Sequence, residues 1–131
     1  MNLYDIPLFG ILRVKMDWLN SRQRTLAENI ANSSTPNFKA KDLKPLDFKD
    51  MLKRAQSFAA QEDAPQGQIP VTLGDQGYQT IDLRDGEMTP NGNSVVLEEQ
   101  MMKESETQVQ FSTAIDIYQQ GLSMLRTALG K

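Results

Sequence analysis

Few residues in this chain can do chemistry, and those that can are badly spaced for it. There is no histidine and no cysteine, which removes the commonest general base, the Ser-His-Asp triad, thiol nucleophiles, disulfides and Cys/His zinc sites together. Catalysis would fall to carboxylates, Lys, Ser or Tyr. Glu98/Glu99 and Glu104/Glu106 are paired in sequence, but on a helix neighbours one or two apart diverge, so no acid/base pair forms. Asp82, Asp85 and Glu87 around Gly86 fail the spacing of a calcium loop and read as a solvated turn. Lys39, Lys41 and Lys44 beside Phe38 are interrupted by Asp42 and are too few for a nucleic-acid patch. No glycine cluster has phosphate-binding form. The residues predict a protein without cofactor, metal or catalytic site.

The densest polar chemistry is instead Asn29-Ile30-Ala31-Asn32-Ser33-Ser34-Thr35-Pro36-Asn37-Phe38-Lys39. Asn, Ser and Thr side chains compete with a helical ladder for backbone hydrogen bonds, and Pro36 biases Thr35 away from helical dihedrals. A helix entering this stretch should stop between Ala31 and Thr35 and give way to an ordered turn.

The elements around it are mainly helical. From about Pro7 to Ala31 the side chains follow a heptad, with Phe9, Met16, Gln23 and Ile30 on one rail and Leu12, Leu19 and Leu26 on the other. Pro7 suits the first turn, where its missing N–H costs nothing. Arg13, Lys15, Asp17, Arg22, Arg24 and Glu28 fall outside the seam. Lys39 to Lys44 reads as a charged connector, and Asp47 as the N-cap of a short helix to about Gln61 with an amphipathic face. Prolines and glycines then punctuate the chain to about Asn93. Ile69–Leu73 and Gln79–Leu83 could be extended pieces paired across Gly74 to Gly77, or a loop without fixed pairing. Asn93 or Ser94 should cap a last helix from about Val95 to Ala128, with Met101, Gln108, Ile115, Leu122 and Leu129 on one rail and Leu97, Glu104, Phe111, Tyr118 and Leu125 on the other.

The expected fold is therefore mainly α: two long terminal helices packed as a coiled-coil hairpin, a short middle helix and an irregular extended loop region. The segments are 1–35, 36–93 with the short helix at about 47–61, and 94–131, together one domain. Val14, Trp18, Val95, Val96, Met102, Ile117 and Met124 lie partly off these stripes and would stay wet in a lone pair, which argues for neighbours from other copies of the chain or from other proteins; Trp18 is the expected interface anchor. Gln23 and Gln108, mid-seam, either fix register or face water.

Composition agrees with helices that need partners. The 131 residues are 39% hydrophobic, 24% charged and 7% aromatic, with net charge −3 and mean hydropathy −0.49. One domain fits that length. No global field attracts nucleic acid or an anionic membrane, and no apolar run reaches the ~20 residues of a membrane span. The broken apolar run of the first twelve residues, with Asp5 and Pro7, does not read as a cleaved secretory signal.

The pattern Asn29-Ile30-Ala31-Asn32-x-x-Thr35-Pro36-x-Phe38-Lys39 after a heptad helix resembles the signature of the bacterial flagellar rod and hook proteins. Asn91-Gly92-Asn93-Ser94-Val95 resembles the Asp-Gly-Asn-x-Val motif that opens the C-terminal helix of proximal-rod subunits. The ordered pair, with the short middle segment, resembles the basal-body rod proteins of the FlgB type; the sister C-type subunit remains an alternative. Two positions depart from the pattern. Asn37 stands where the family usually has Gly, and Asn is the next-best residue for a left-handed turn; Asn91 stands for the usual Asp.

The resemblance implies a self-assembling structural subunit of the periplasmic rod, exported without a cleaved signal, that transmits torque and encloses the export channel. Its implied partners are copies of itself, other rod proteins, and the adaptor between the MS ring and the export gate, with no nucleic acid and no membrane insertion. Asn29, Asn32, Thr35, Pro36, Asn37, Phe38, Lys39, Asn91, Gly92 and Asn93 would be its motif and subunit-contact residues. A reading from a different class is a soluble coiled-coil adaptor or secretion chaperone that binds one partner and does not polymerise.

Overall fold

The computed structural model describes residues 7–60, 77–83, 90, 92–93 and 95–130. Five elements follow in order: α1 (Pro7–Ala31), β1 (Lys41–Leu43), α2 (Phe48–Ala60), β2 (Thr80–Asp82) and α3 (Leu97–Ala128). The chain is mainly helical, with two long terminal helices, a short middle helix and little sheet.

α1 is the central element, packed against α3, α2 and β1. Its local signals act as expected: Pro7 is the first helical residue, and the helix ends at Ala31 as the Asn/Ser/Thr stretch begins. Asp47 caps α2 through the Asp50 N–H, which donates to its Oδ1 at 2.7 Å. α1 and α3 run antiparallel. Asn29 near the end of α1 meets Gln100 near the start of α3, while Phe9 at the other end packs edge-on to Tyr118 with centroids 5.3 Å apart.

Two helices can lie this close because small residues sit where they cross. A Cβ at Gly121 would fall 2.9 Å from Phe9 Cζ, and one at Gly10 would fall 3.0 Å from Ala55 Cβ on α2. The buried line of α3 is Gln100, Thr107 and Ala114, a heptad that Gly121 continues. It fixes the rotational phase of the helix, and Met101, one residue and about 100° further round, faces out at 54% exposure. Leu97 and Leu129 are likewise exposed in the single chain. Phe9, Leu19 and Leu26 are buried, and Leu12, Met16, Ile30, Phe111, Ile115, Tyr118, Leu122 and Leu125 are half-buried. Gln108 faces water and Gln23 is half-buried.

The connector Lys39 to Lys44 is not a plain charged link. Lys41–Leu43 forms β1 and pairs antiparallel with Thr80–Asp82, Asp42 opposite Ile81, and flanking bonds run from Lys44 N–H to Gln79 O and from Leu83 N–H to Ala40 O. The extended piece near Gln79–Leu83 thus exists, but its partner is β1; Ile69–Leu73 lies outside the described residues.

This two-stranded strap covers one side of α1 and changes the fate of several residues there. Trp18 is a core residue rather than an interface anchor, packed with Leu19, Leu43 and Tyr78 while its Nε1–H donates to Lys44 O at 3.1 Å. Asp17, an expected surface residue, is buried and accepts from the Tyr78 hydroxyl at 2.8 Å. Arg22 reaches both carboxylate oxygens of Asp42 at 3.0 and 3.1 Å. Val14 and Val95 are also buried inside the chain, while Met102, Ile117 and Met124 stay exposed.

Candidate functional site

The asparagine-rich turn sits where α1 ends, β1 begins and α3 starts, and three amide side chains hold these parts together. The problem they solve is set by helix geometry: the last carbonyls of α1 have no intrahelical partner. Short turns meet part of the need, with Asn32 N–H bonding Glu28 O, Ser33 N–H bonding Ile30 O and Thr35 N–H bonding Asn32 O.

Asn93, about 60 residues further along the chain, holds the turn that follows α1. Its Nδ2 donates to Asn32 O at 2.9 Å, Ser33 O at 3.0 Å and Thr35 O at 2.7 Å. One amide group with two hydrogens serves three carbonyls, so one hydrogen is shared. Its Oδ1 accepts from the buried Val95 N–H at 2.7 Å. Asn93 is therefore a clamp on the turn after α1 and not the N-cap of α3. The helix begins two residues later than the sequence suggests, at Leu97, and its N-cap position Val96 makes no side-chain cap bond.

Asn29 is the second clamp, only 1% exposed. Its Nδ2 donates to Lys41 O at 2.6 Å and its Oδ1 accepts from Lys41 N–H at 3.1 Å. The amide thus pairs with both backbone groups of Lys41, as a neighbouring strand's peptide would. The same Nδ2 donates to Gln100 Oε1 at 2.8 Å, which ties the end of α1 to the start of α3. Asn32 completes the set locally: Nδ2 donates to Glu28 O, and Oδ1 accepts from the Thr35 hydroxyl.

The turn's outer residues do something different. Thr35, Pro36, Asn37 and Lys39 are exposed and Phe38 is half-buried. Asn37 adopts φ 61°, the left-handed conformation that Gly or Asn holds at least cost. Its side-chain oxygen occupies the space a Cβ at Gly92 would need, and Gly92 is itself at φ 78°. The two sequence motifs therefore touch here as well as through the bonds from Asn93 to Asn32 and Thr35. Asn91 lies outside the described residues.

Sequence reasoning missed Gln100, Arg22–Asp42 and Asp17–Tyr78. A signal for the first was present in the heptad spacing of Gln100, Thr107, Ala114 and Gly121, whose small or polar character marks a close helix contact. Burial and the bond to Asp17 hold the Tyr78 phenol well above the usual range. Burial, then the like charge of Arg22, lowers the Lys15 ammonium, which lies 4.6 Å from the Trp18 ring centroid. Asp17, Trp18 and Tyr78 are buried and Lys15 is half-buried. Among the described residues no cluster of acidic side chains could hold a metal ion, and no helix is long and apolar enough to cross a membrane.

The geometry is that of a rigid joint with exposed apolar helix surface beside it. No protein-family model matches the chain. It is 32% identical over 117 residues to the flagellar basal body rod protein FlgB of Agrobacterium fabrum, an alignment covering 84% of this chain and 83% of that one. It is 24% identical over 108 residues to the FlgB of Bacillus subtilis, covering 82% and 81%. The identity and coverage with the first place this chain in the FlgB family of flagellar basal body rod proteins.

Proposed function

We propose that this chain is a structural subunit that assembles with copies of itself and other axial proteins into the proximal rod, where it transmits torque and encloses the export channel. The observation that carries the reading is the outer surface of α3. Met102 (73%), Val109 (66%), Ile117 (44%) and Met124 (70%) are exposed large apolar residues on one 32-residue helix whose opposite side packs on α1. A chain that spent its life alone would not keep such a surface wet. An array of neighbouring subunits would cover it.

In this reading the asparagine clamps give the joint a fixed shape, and the exposed Thr35, Pro36, Asn37 and Lys39 meet the next subunit. The α1/α3 hairpin lies toward the channel. Export without a cleaved signal, periplasmic placement and contact with the adaptor between MS ring and export gate follow from the same reading.

The test is to replace Met102 and Met124 together by Glu in a strain that depends on this chain as its rod subunit. The expected result is normal helix content in the purified protein, no complete rod and no swimming. Swimming at the wild-type rate would overturn the proposal.

A further inference from the structure

We propose that one copy of this chain docks the outer, acidic face of its α3 into the basic groove between α2 and the β1/β2 strap of the next copy. The inference rests on the rod-subunit reading and names a contact within it.

The groove is an open depression of about 480 Å³. Leu46 and the Tyr78 ring form part of its wall, and among the described lining residues Lys44, Lys53 and Arg54 stand around it with one carboxylate, Asp50. The Arg54 guanidinium lies 4.3 Å from the Tyr78 ring centroid, which fixes that charge at the groove wall. A basic, partly apolar groove on a chain of net charge −3 marks a local reversal of the overall field.

The complementary surface is in the same sequence. Glu98, Met102, Glu106 and Val109 follow at spacings of four, four and three, which places them on one side of α3. All four are exposed, Met102 and Val109 at 73% and 66%. Gln100 and Thr107, buried against α1, lie on the other side of the helix. The face therefore presents two carboxylates with two apolar side chains between and beyond them. This is the pattern that a basic groove with an apolar floor takes up in helix-in-groove recognition.

A chain cannot satisfy itself in this way. The groove lies between α2 and the strap, and the acidic face of α3 points away from α1, so groove and face can meet only across two molecules. The surfaces differ, so the contact is heterologous, and repetition of such a contact gives a closed ring or a helical array. Opposite charges at its rim would set register and speed encounter more than they would add affinity.

The test uses the full chain with two pairs of charge reversals, Lys44→Glu/Lys53→Glu in the groove and Glu98→Lys/Glu106→Lys on α3, each checked for wild-type helix content. In sedimentation velocity the wild type is expected to form species larger than a dimer as concentration rises. Either reversed pair alone should weaken self-association about tenfold, from lost attraction and added repulsion at a partly solvated contact. In their mixture the intact α3 face of one variant meets the intact groove of the other, and the reversed face meets the reversed groove, so mixing the two should recover species larger than a dimer. The chain carrying both pairs should recover self-association. Wild-type protein that stays monomeric to its solubility limit, or reversed pairs with no effect, would overturn the proposal. Reversals that abolish swimming without altering self-association would also overturn it and assign the groove to another axial protein. Reversed chains that swim normally would remove the groove contact and leave the rod reading intact; failure of the wild-type chain to reach the basal body would remove the rod reading itself.

Discussion

Asn93 offers the sharpest perturbation, because one side chain holds the turn after α1 and the approach to α3. Its two amide hydrogens serve the carbonyls of Asn32, Ser33 and Thr35, and its oxygen serves the Val95 N–H. At about 1 kcal/mol net for each of three hydrogen-bonding capacities, Asn93→Ala should cost about 3 kcal/mol. Thr35 is exposed and Asn32 and Ser33 are half-buried, so water can partly replace the amide there; the cost then falls toward about 2 kcal/mol, with the buried Val95 N–H carrying most of it. For a chain of 131 residues this is a fall in Tm of about 10 °C. Asn93→Asp separates donor from shape: it keeps the acceptor for Val95 but turns a carboxylate oxygen toward three carbonyls. It should be less stable than Asn93→Ala at pH 7. The pH dependence has a definite sign. The carbonyls raise the folded pKa of the new carboxyl above its unfolded value of about 3.9, so its stabilising contribution is present below that pH and is lost as pH rises through the folded pKa. Its deficit relative to wild type should therefore shrink on acidification. Urea titration followed by far-UV circular dichroism and by fluorescence of the buried Trp18 measures all of this. An Asn93→Ala variant within about 0.5 kcal/mol of wild type, or an Asn93→Asp variant as stable as wild type at pH 7, would refute the clamp.

Three more outcomes follow from the same structure. Tyr78→Phe removes the donor to the buried Asp17 carboxylate and should cost about 1–3 kcal/mol at pH 7 in a urea titration. Because the folded Tyr78 phenol is held above its unfolded pKa of about 10, its contribution is present below that pH and lost as pH rises further, so the wild type should lose its advantage over Tyr78→Phe in strong alkali. Gly92→Ala meets both a positive φ and the Asn37 side chain; adding Asn37→Gly should recover the collision part but not the backbone part, so a double-mutant cycle should show coupling of about 0.5–3 kcal/mol. Leu19→Asp, at a fully buried position, should unfold the purified hairpin and abolish swimming, and Leu122→Asp, half-buried on the facing helix, should abolish swimming as well; motility assays with helix content measured in parallel check both.

What could be read from the residues was what local chemistry decides. Pro7, the Asn/Ser/Thr run before Pro36, and Asp47 set helix ends through bonds reaching only a few residues, so α1 and the start of α2 fall where those signals stand. Asn37 was readable as a left-handed residue for the same reason. β1 was not, because Lys-Asp-Leu has little strand character of its own and becomes a strand only through β2, some forty residues on. The phase of α3 was hidden too. Its large apolar residues are spread around the helix, whereas the contact line is drawn by Gln100, Thr107, Ala114 and Gly121, selected for closeness and not for hydrophobicity. Asn93 has the right residue type for an N-cap, and only the three-dimensional arrival of the carbonyls of Asn32, Ser33 and Thr35 assigns it to the turn after α1.

If this hairpin works as a rod component, neighbouring axial subunits cover its outer α3 face. Cryo-electron microscopy of isolated basal bodies tests it most directly. The expected result is density for the α1/α3 hairpin within the proximal rod, with Met102, Val109, Ile117 and Met124 buried between subunits. Basal bodies with a complete proximal rod that lacks this chain, or subunits whose outer α3 faces remain in solvent, would contradict it.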